Sequence, residues 1–278
     1  MRVAVTGAEG MLGHDLRRVF SDADFIGFTL DLLDITRLDD VMKKIRETRP
    51  DFLIHAAAFT DVDRCETEPE TAYLVNGVGA RNVAMACEDI RCPIVYISTD
   101  YVFDGSKDSP YNEWDPTDPV NLYGLSKLMG ERFVSTHTNR FYIVRTSWLY
   151  GINGKNFVDT ILKLMSRRES LDVVNDQRGC PTYAMDLGRK LRELIGRGYG
   201  TYHITNSGEC TWYDFARKIS VLSGMNKRVN PVTSEQFRRP AKRPANSVLG
   251  KTMLRLEGLG EPRHWEEGLA DYLRERMA

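Results

Sequence analysis

At 278 residues the chain is long enough for one large α/β domain or for two domains sharing an interface. A composition of 42% hydrophobic and 28% charged residues excludes a disordered or fibrous protein, and a formal net charge of −1 excludes a global field drawing it to nucleic acid or anionic membrane. No apolar run approaches the roughly 20 residues that span a bilayer. The first strand starts almost at Met1 with no secretory pattern before it, so the expected location is the cytoplasm, without nucleic-acid or membrane partners. Five cysteines without a CxxC pair read as free structural thiols, and the five histidines lack metal-ligand spacing, so no metal is expected.

In chain order, strands are predicted at Val3–Thr6, Phe25–Phe28, Phe52–His55, Ile94–Ser98 and Phe141–Arg145, with helical patterns between them. Met11, Leu12, Leu16, Val19 and Phe20 share one helical face, as do Ala72, Val75, Val83 and Ala86. Strands alternating with helices imply a doubly wound parallel sheet. Leu171–Val174 and Thr201–Ile204 read as two further strands of that sheet. Helices are expected at Asp159–Arg167, Met185–Ile195, Trp212–Leu222 and Trp265–Arg276. The proline-bearing stretch Asn230–Val248 is expected to be mostly loop. The organisation expected is a dinucleotide-binding domain of residues 1–146 plus about 171–206. A smaller discontinuous α/β substrate domain would take about 147–170 and 207–278.

Between the first strand and helix lie Gly7, Gly10 and Gly13, spaced GxxGxxG. Glycines there permit a tight turn, let backbone N–H groups approach a pyrophosphate, and place it at a helix N-terminus; Met11 and Leu12 lie in the same turn. After the second strand an acidic residue can bind a ribose 2′-OH. Asp31 is one choice, or else a surface helix cap; Thr29 lies nearer the strand end, and Asp34-Ile35 is placed to flank an adenine. No Arg or Lys lies between Phe28 and Arg37, although Arg17 and Arg18 could supply a 2′-phosphate clamp. The cofactor is therefore NADPH or NADH, with the preference open.

Tyr123 and Lys127, four apart in Tyr123-Gly124-Leu125-Ser126-Lys127, share one face of a helix. An ammonium beside a phenol would lower the tyrosine pKa from about 10 and let it exchange a proton with a carbonyl oxygen near neutral pH. Ser98-Thr99-Asp100-Tyr101-Val102-Phe103 should end the fourth strand, at the sheet edge where ligands bind.

With these motifs in place, the chain resembles the extended short-chain dehydrogenase/reductases along nearly its whole length, and among them the dTDP-4-dehydrorhamnose reductase family. The resemblance rests on Ala56-Ala57-Ala58 with the residues through Asp63, on Ser98 through Phe103, on Tyr123 through Lys127 and on Arg145 through Gly151. Asp176 through Thr182 and Arg243 through Leu249 extend it. It implies a Rossmann-type fold and a nucleotide-sugar substrate. It further implies that Ala56, Ala57 and Ala58 line the cofactor, that Thr99 hydrogen-bonds the sugar 4-keto oxygen, and that Tyr123 protonates it. Lys127 would hold the nicotinamide ribose and tune Tyr123; Asp100, Tyr101 and Trp148 would contact the substrate, with Arg243 and Asn246 near the diphosphate. His55 departs from the Asn often found before the triple alanine, and Cys180 lies in a variable position.

Blander readings stand beside these. Trp148 can be ordinary core; Trp114, Trp212 and Trp265 read as packing; Arg238–Arg243 can be a solvated loop. A nucleotide-sugar epimerase would need the same Tyr and Lys. A 4,6-dehydratase would place Asp-Glu where this chain has Asp100-Tyr101. A non-catalytic subunit resembling the regulatory β subunit of methionine adenosyltransferase is the alternative from another class. A homodimer is left open.

Overall fold

The structure is a computed structural model and describes residues 1–277. Its first half runs β1 (Arg2–Thr6), α1 (Met11–Val19), β2 (Asp24–Phe28), α2 (Leu38–Thr48), β3 (Phe52–His55), α3 (Val62–Thr67) and α4 (Pro69–Ala72). A π-helical turn, Tyr73–Gly79, joins α4 to α5 (Ala80–Asp89); β4 (Ile94–Thr99), α6 (Leu122–His137) and β5 (Phe141–Thr146) follow. The rest runs β6 (Leu149–Tyr150), α7 (Phe157–Met165), β7 (Ser170–Val174), β8 (Arg178–Gly179), β9 (Thr182–Tyr183), α8 (Ala184–Leu194) and β10 (Gly200–His203). It closes with β11 (Cys210–Thr211), α9 (Trp212–Leu222), β12 (Arg228–Val232), α10 (Thr252–Leu256) and α11 (Trp265–Met277).

Six strands pair in the order β10-β5-β4-β3-β1-β2, all parallel. Successive side chains of β1 serve opposite faces. Val3 and Val5 meet Leu12 and Leu16 of α1, Phe20 just after it, and Leu187 and Leu191 of α8, while Ala4 faces Val41 and Ile45 of α2 and Val83 of α5. Helices on both faces make this the doubly wound Rossmann-type sheet that the alternating pattern predicts. The chain leaves β1 toward β2 on one side and, later, β3 on the other. That reversal opens a crevice at the carboxyl ends of β1 and β3.

A separate aromatic core forms beyond β5, where Tyr150, Phe215, Trp265, Leu269 and Tyr272 pack together with Val158 and Ile161 of α7. One strand departs from expectation. Leu171–Val174 lies in β7, which pairs with β12 rather than joining the central sheet. Its Leu171 and Val173 face the aromatic core, and its alternating burial suits a strand with one solvated face; a central strand would be buried on both. The same pairing draws the start of the Asn230–Val248 stretch into β12. Thr201–Ile204 does supply the sheet's edge strand, as β10. All five cysteines are buried and free.

Candidate active site

The glycine turn is built by contact with the triple alanine. Gly7 has φ of 71°, and a Cβ on it would lie 2.8 Å from the Ala57 nitrogen; one on Gly13 would lie 2.5 Å from the Gly7 carbonyl oxygen. Gly10 is freer, its nearest would-be contact being the Gly7 oxygen at 3.1 Å. Gly10 caps α1 without any side-chain bond, so no capping side chain occupies the first-turn N–H groups, those of Met11 and Leu12 among them. The side chain of Leu12 is in the core and Met11 packs against it, so only their backbones are left to meet a ligand. Ala56, Ala57 and Ala58 remain partly exposed beside the turn.

After β2, the Thr29 carbonyl accepts from the N–H groups of Leu32 and Leu33, starting a tight turn. Asp31 is exposed. Asp34 accepts from the backbone N–H and hydroxyl of Thr36 at 2.9 and 2.7 Å, which hold its carboxyl below the usual range and commit one of its oxygens to the turn. Ile35 is buried against Gly79. Arg18 is committed to Glu275 at 2.6 Å and Asp15 at 3.4 Å, so the structure removes it as a phosphate clamp.

The residues expected to be catalytic lie toward the carboxyl end of β4, on that strand and on α6. Thr99 ends β4; its hydroxyl donates to Asp100 at 3.0 Å and accepts from the Tyr101 N–H at 3.1 Å. Asn121 caps α6 by accepting from the Gly124 N–H at 2.8 Å, and Glu66 accepts from the Leu122 N–H at 2.8 Å, which fixes the first turn carrying Tyr123. Gly124 lets that turn lie directly on the Tyr101 carbonyl. The Tyr101 and Tyr123 rings meet edge to face, 6.0 Å apart. One turn on, the Lys127 ammonium is buried 4.1 Å above the Tyr96 ring.

Electrostatics revises one expectation. Burial, followed by the negative charge of Asp100, raises the Tyr123 pKa, against an opposing Thr99 hydroxyl. Lys127 therefore does not tune it downward as the sequence suggests; burial instead drives Lys127 to about 7, with Glu131 pulling it back up. The physical reason is that protein surrounds both groups, so each loses the hydration of its charged form. Tyr123 is held as a neutral phenol, the form able to give a proton. Burial also pushes Asp100 up to about 7, against the Ser247 and Thr99 hydroxyls.

Two groups that sequence reasoning missed hold this arrangement. Asn76, in the π-helical turn, accepts from the Phe59 N–H at 2.8 Å and donates to the Ser126 hydroxyl at 2.9 Å, tying the alanine loop to α6. Glu131 receives both Arg145 nitrogens at 2.9 and 2.8 Å and the Ser98 hydroxyl at 2.5 Å, pinning α6 to β4 and β5. A polar residue in a buried helical stretch was the only sequence signal for either.

The residues expected on the substrate side are less uniform. Trp148 has φ of 47°, a strained conformation for a bulky residue, and stacks on Trp212 at 3.5 Å and 8°. Gly179 makes room for it, since a Cβ there would sit 2.5 Å from the indole. Arg243 lies against Tyr101 but binds Asp63 at 2.6 Å. Although burial pushes Asp63 upward, Arg243 and the Ala241 N–H hold its carboxyl below the usual range. Asn246 is buried, donating to the Lys107 and Ser109 carbonyls and accepting from the Val248 N–H. Both amide hydrogens are spent on residues 107 and 109, which leaves this side chain no donor for a diphosphate and replaces the expected contact with a structural one.

Among the described residues no three His, Cys, Asp or Glu side chains gather to hold a metal, and no helix is long and apolar enough to cross a membrane. Three buried polar atoms at the crevice have no partner: His55 Nε2, Asp100 Oδ2 and Thr146 Oγ1. Together with the uncapped helix start, they fit a site whose remaining bonds come from a dinucleotide and a polar second ligand.

The family model described as RmlD substrate binding domain matches residues 1–277. The chain belongs to the dTDP-4-dehydrorhamnose reductase family. It is similar to a dTDP-4-dehydrorhamnose reductase of Streptomyces griseus, at 40% identity over 97% of this chain and 92% of that one. It is 43% identical to the spore coat polysaccharide biosynthesis protein SpsK of Bacillus subtilis, over 100% of this chain and 98% of that one. A crystal structure of dTDP-4-dehydrorhamnose reductase from Bacillus anthracis in complex with NADP superimposes with a TM-score of 0.96 at 45% identity, covering 99% of each chain. Members of the dTDP-4-dehydrorhamnose reductase family are thus matched end to end, with the glycine turn and Tyr-Lys helix inside the matched region.

Proposed function

We propose that the protein reduces the 4-keto group of a nucleotide-activated 6-deoxy sugar with NADPH or NADH, taking dTDP-4-dehydro-L-rhamnose to dTDP-L-rhamnose. The observation that supports this is that Thr99, at the carboxyl end of β4, hydrogen-bonds Tyr123, with Lys127 one turn further along α6 over the Tyr96 ring of the same strand.

The reduced nicotinamide, when bound, supplies a hydride to the carbonyl carbon. Every other task falls to the chain. The uncapped first turn of α1 would hold the pyrophosphate through backbone N–H groups. Lys127, poised near neutrality by burial, would donate to the nicotinamide ribose. Tyr123, kept protonated, would give its proton to the developing O4 alkoxide, and the Thr99 hydroxyl would turn its one hydrogen from Asp100 to the same oxygen. Asp100, largely protonated below about pH 7, can turn its free Oδ2 toward a sugar hydroxyl without adding a second negative charge beside the diphosphate. Trp148 would floor the sugar pocket. Tyr101 follows Asp100 where dehydration chemistry would require a carboxylate.

The test is to mix the purified chain with NADPH and the dTDP-4-keto-6-deoxy sugar. Loss of nicotinamide absorbance with a product two mass units heavier is expected. A sugar epimerised at unchanged mass, with no net cofactor oxidation, would instead support the epimerase reading.

A further inference from the structure

Arg17 projects from the last turn of α1, forms no ion pair among the described residues, and lies over the Phe25 ring with its guanidinium carbon 4.6 Å from the centroid. Its neighbour Arg18 is turned away into the Asp15 and Glu275 pairs. A Cβ placed on Gly27 would sit 2.9 Å from Arg17 Nη2 and 2.8 Å from the Ala8 Cβ. The guanidinium therefore lies beside the glycine turn, in space that only a glycine at 27 leaves open. Gly27 stands two residues before Thr29, near the end of the edge strand β2, which closes at Phe28. Directly after that end, where an acidic residue would bind a ribose 2′-OH, this chain has an uncharged threonine, and the next carboxylate along the chain, Asp31, comes two residues later and is exposed.

We propose that Arg17 reads the 2′-phosphate of NADPH and so sets a preference for NADPH over NADH. The proposal rests on the dinucleotide reading above and deepens it. Stacking on Phe25 fixes the guanidinium plane and leaves its N–H edge free, the geometry that suits a dianionic phosphate. Thr29 removes the repulsion that a carboxylate would exert on that phosphate. Arg17 is exposed, so its replacement should leave the fold intact.

Calorimetric titration of the full chain with NADP+ and with NAD+ tests it, on the natural protein, Arg17→Ala and Arg17→Gln, with melting curves to verify folding. The natural protein should bind NADP+ more tightly. Both variants should lose about ten- to a hundredfold in NADP+ affinity, while NAD+ affinity stays within about twofold. Equal loss for both nucleotides, or no loss for either, would overturn the assignment of Arg17 while leaving the dinucleotide site standing. No binding of either nucleotide by the natural protein would overturn the dinucleotide reading, and this proposal with it.

Discussion

Replacing Glu131 by Gln changes one charge and almost no volume at the joint between α6, β4 and β5. The Arg145–Glu131 pair is bidentate, and the side chains are 7% and 5% exposed. After the change the Arg145 guanidinium keeps only neutral partners: the one amide oxygen of the new glutamine, the Glu113 carbonyl at 3.2 Å and His203 at 3.4 Å. Breaking a buried pair from one side costs about 3–5 kcal/mol, because a charge stays behind without its counter-charge. For a chain of this size that corresponds to roughly 6–20 °C in Tm. Lys127 feels the change too: Glu131 is the charge that raises its pKa, so in Glu131→Gln the pKa should fall below about 7 and the alkaline limb of the reduction rate should move toward acid. Differential scanning calorimetry and a pH series of kcat read both. Glu131→Leu combined with Arg145→Met should recover part of the lost stability. A Glu131→Gln protein melting within about a degree of the natural one would refute the reasoning.

Three further outcomes follow from the geometry. Gly13→Ala should destabilise the turn by several kcal/mol through contact with the Gly7 carbonyl, whereas Gly10→Ala should cost under about 1 kcal/mol yet weaken dinucleotide binding; denaturant melts and nucleotide titration separate the two. His203, held neutral by burial and the neighbouring Arg145 with a pKa of about 3, takes up protons only in the unfolded chain as pH falls below 6.5, so stability drops with acidification. His203→Gln should then lose less stability than the natural protein between pH 6.5 and 4.5, by about 2.3 kcal/mol in paired urea melts. Trp148→Ala should raise KM for the nucleotide sugar with little change in cofactor affinity, and equal KM values would remove Trp148 from the substrate pocket.

The parallel sheet and the helix carrying Tyr123 and Lys127 were legible because their signals are local. Val3–Thr6 followed by Gly7, Gly10 and Gly13 specifies a strand, a turn and a helix start within a dozen residues. Tyr123 and Lys127 need only helical spacing to share a face. The errors arose where partners are distant. Leu171–Val174 reads as any buried strand, and nothing in it names Arg228–Val232 as its neighbour. Asn246 belongs to a motif, yet its amide is used up by carbonyls more than 130 residues earlier in the chain. The direction of the Tyr123 shift depends on how completely protein surrounds the ring, which spacing along one helix does not encode.

The most direct test of the account is Tyr123→Phe, which deletes one hydroxyl and keeps the ring edge-on to Tyr101. Turnover of the dTDP-4-keto sugar and Kd for NADPH should be measured side by side with Lys127→Met. The account predicts a split: Phe at 123 lowers turnover by about 10²–10⁴-fold with near-normal NADPH affinity, while Met at 127 lowers both. Turnover by folded Tyr123→Phe at the natural rate would contradict it.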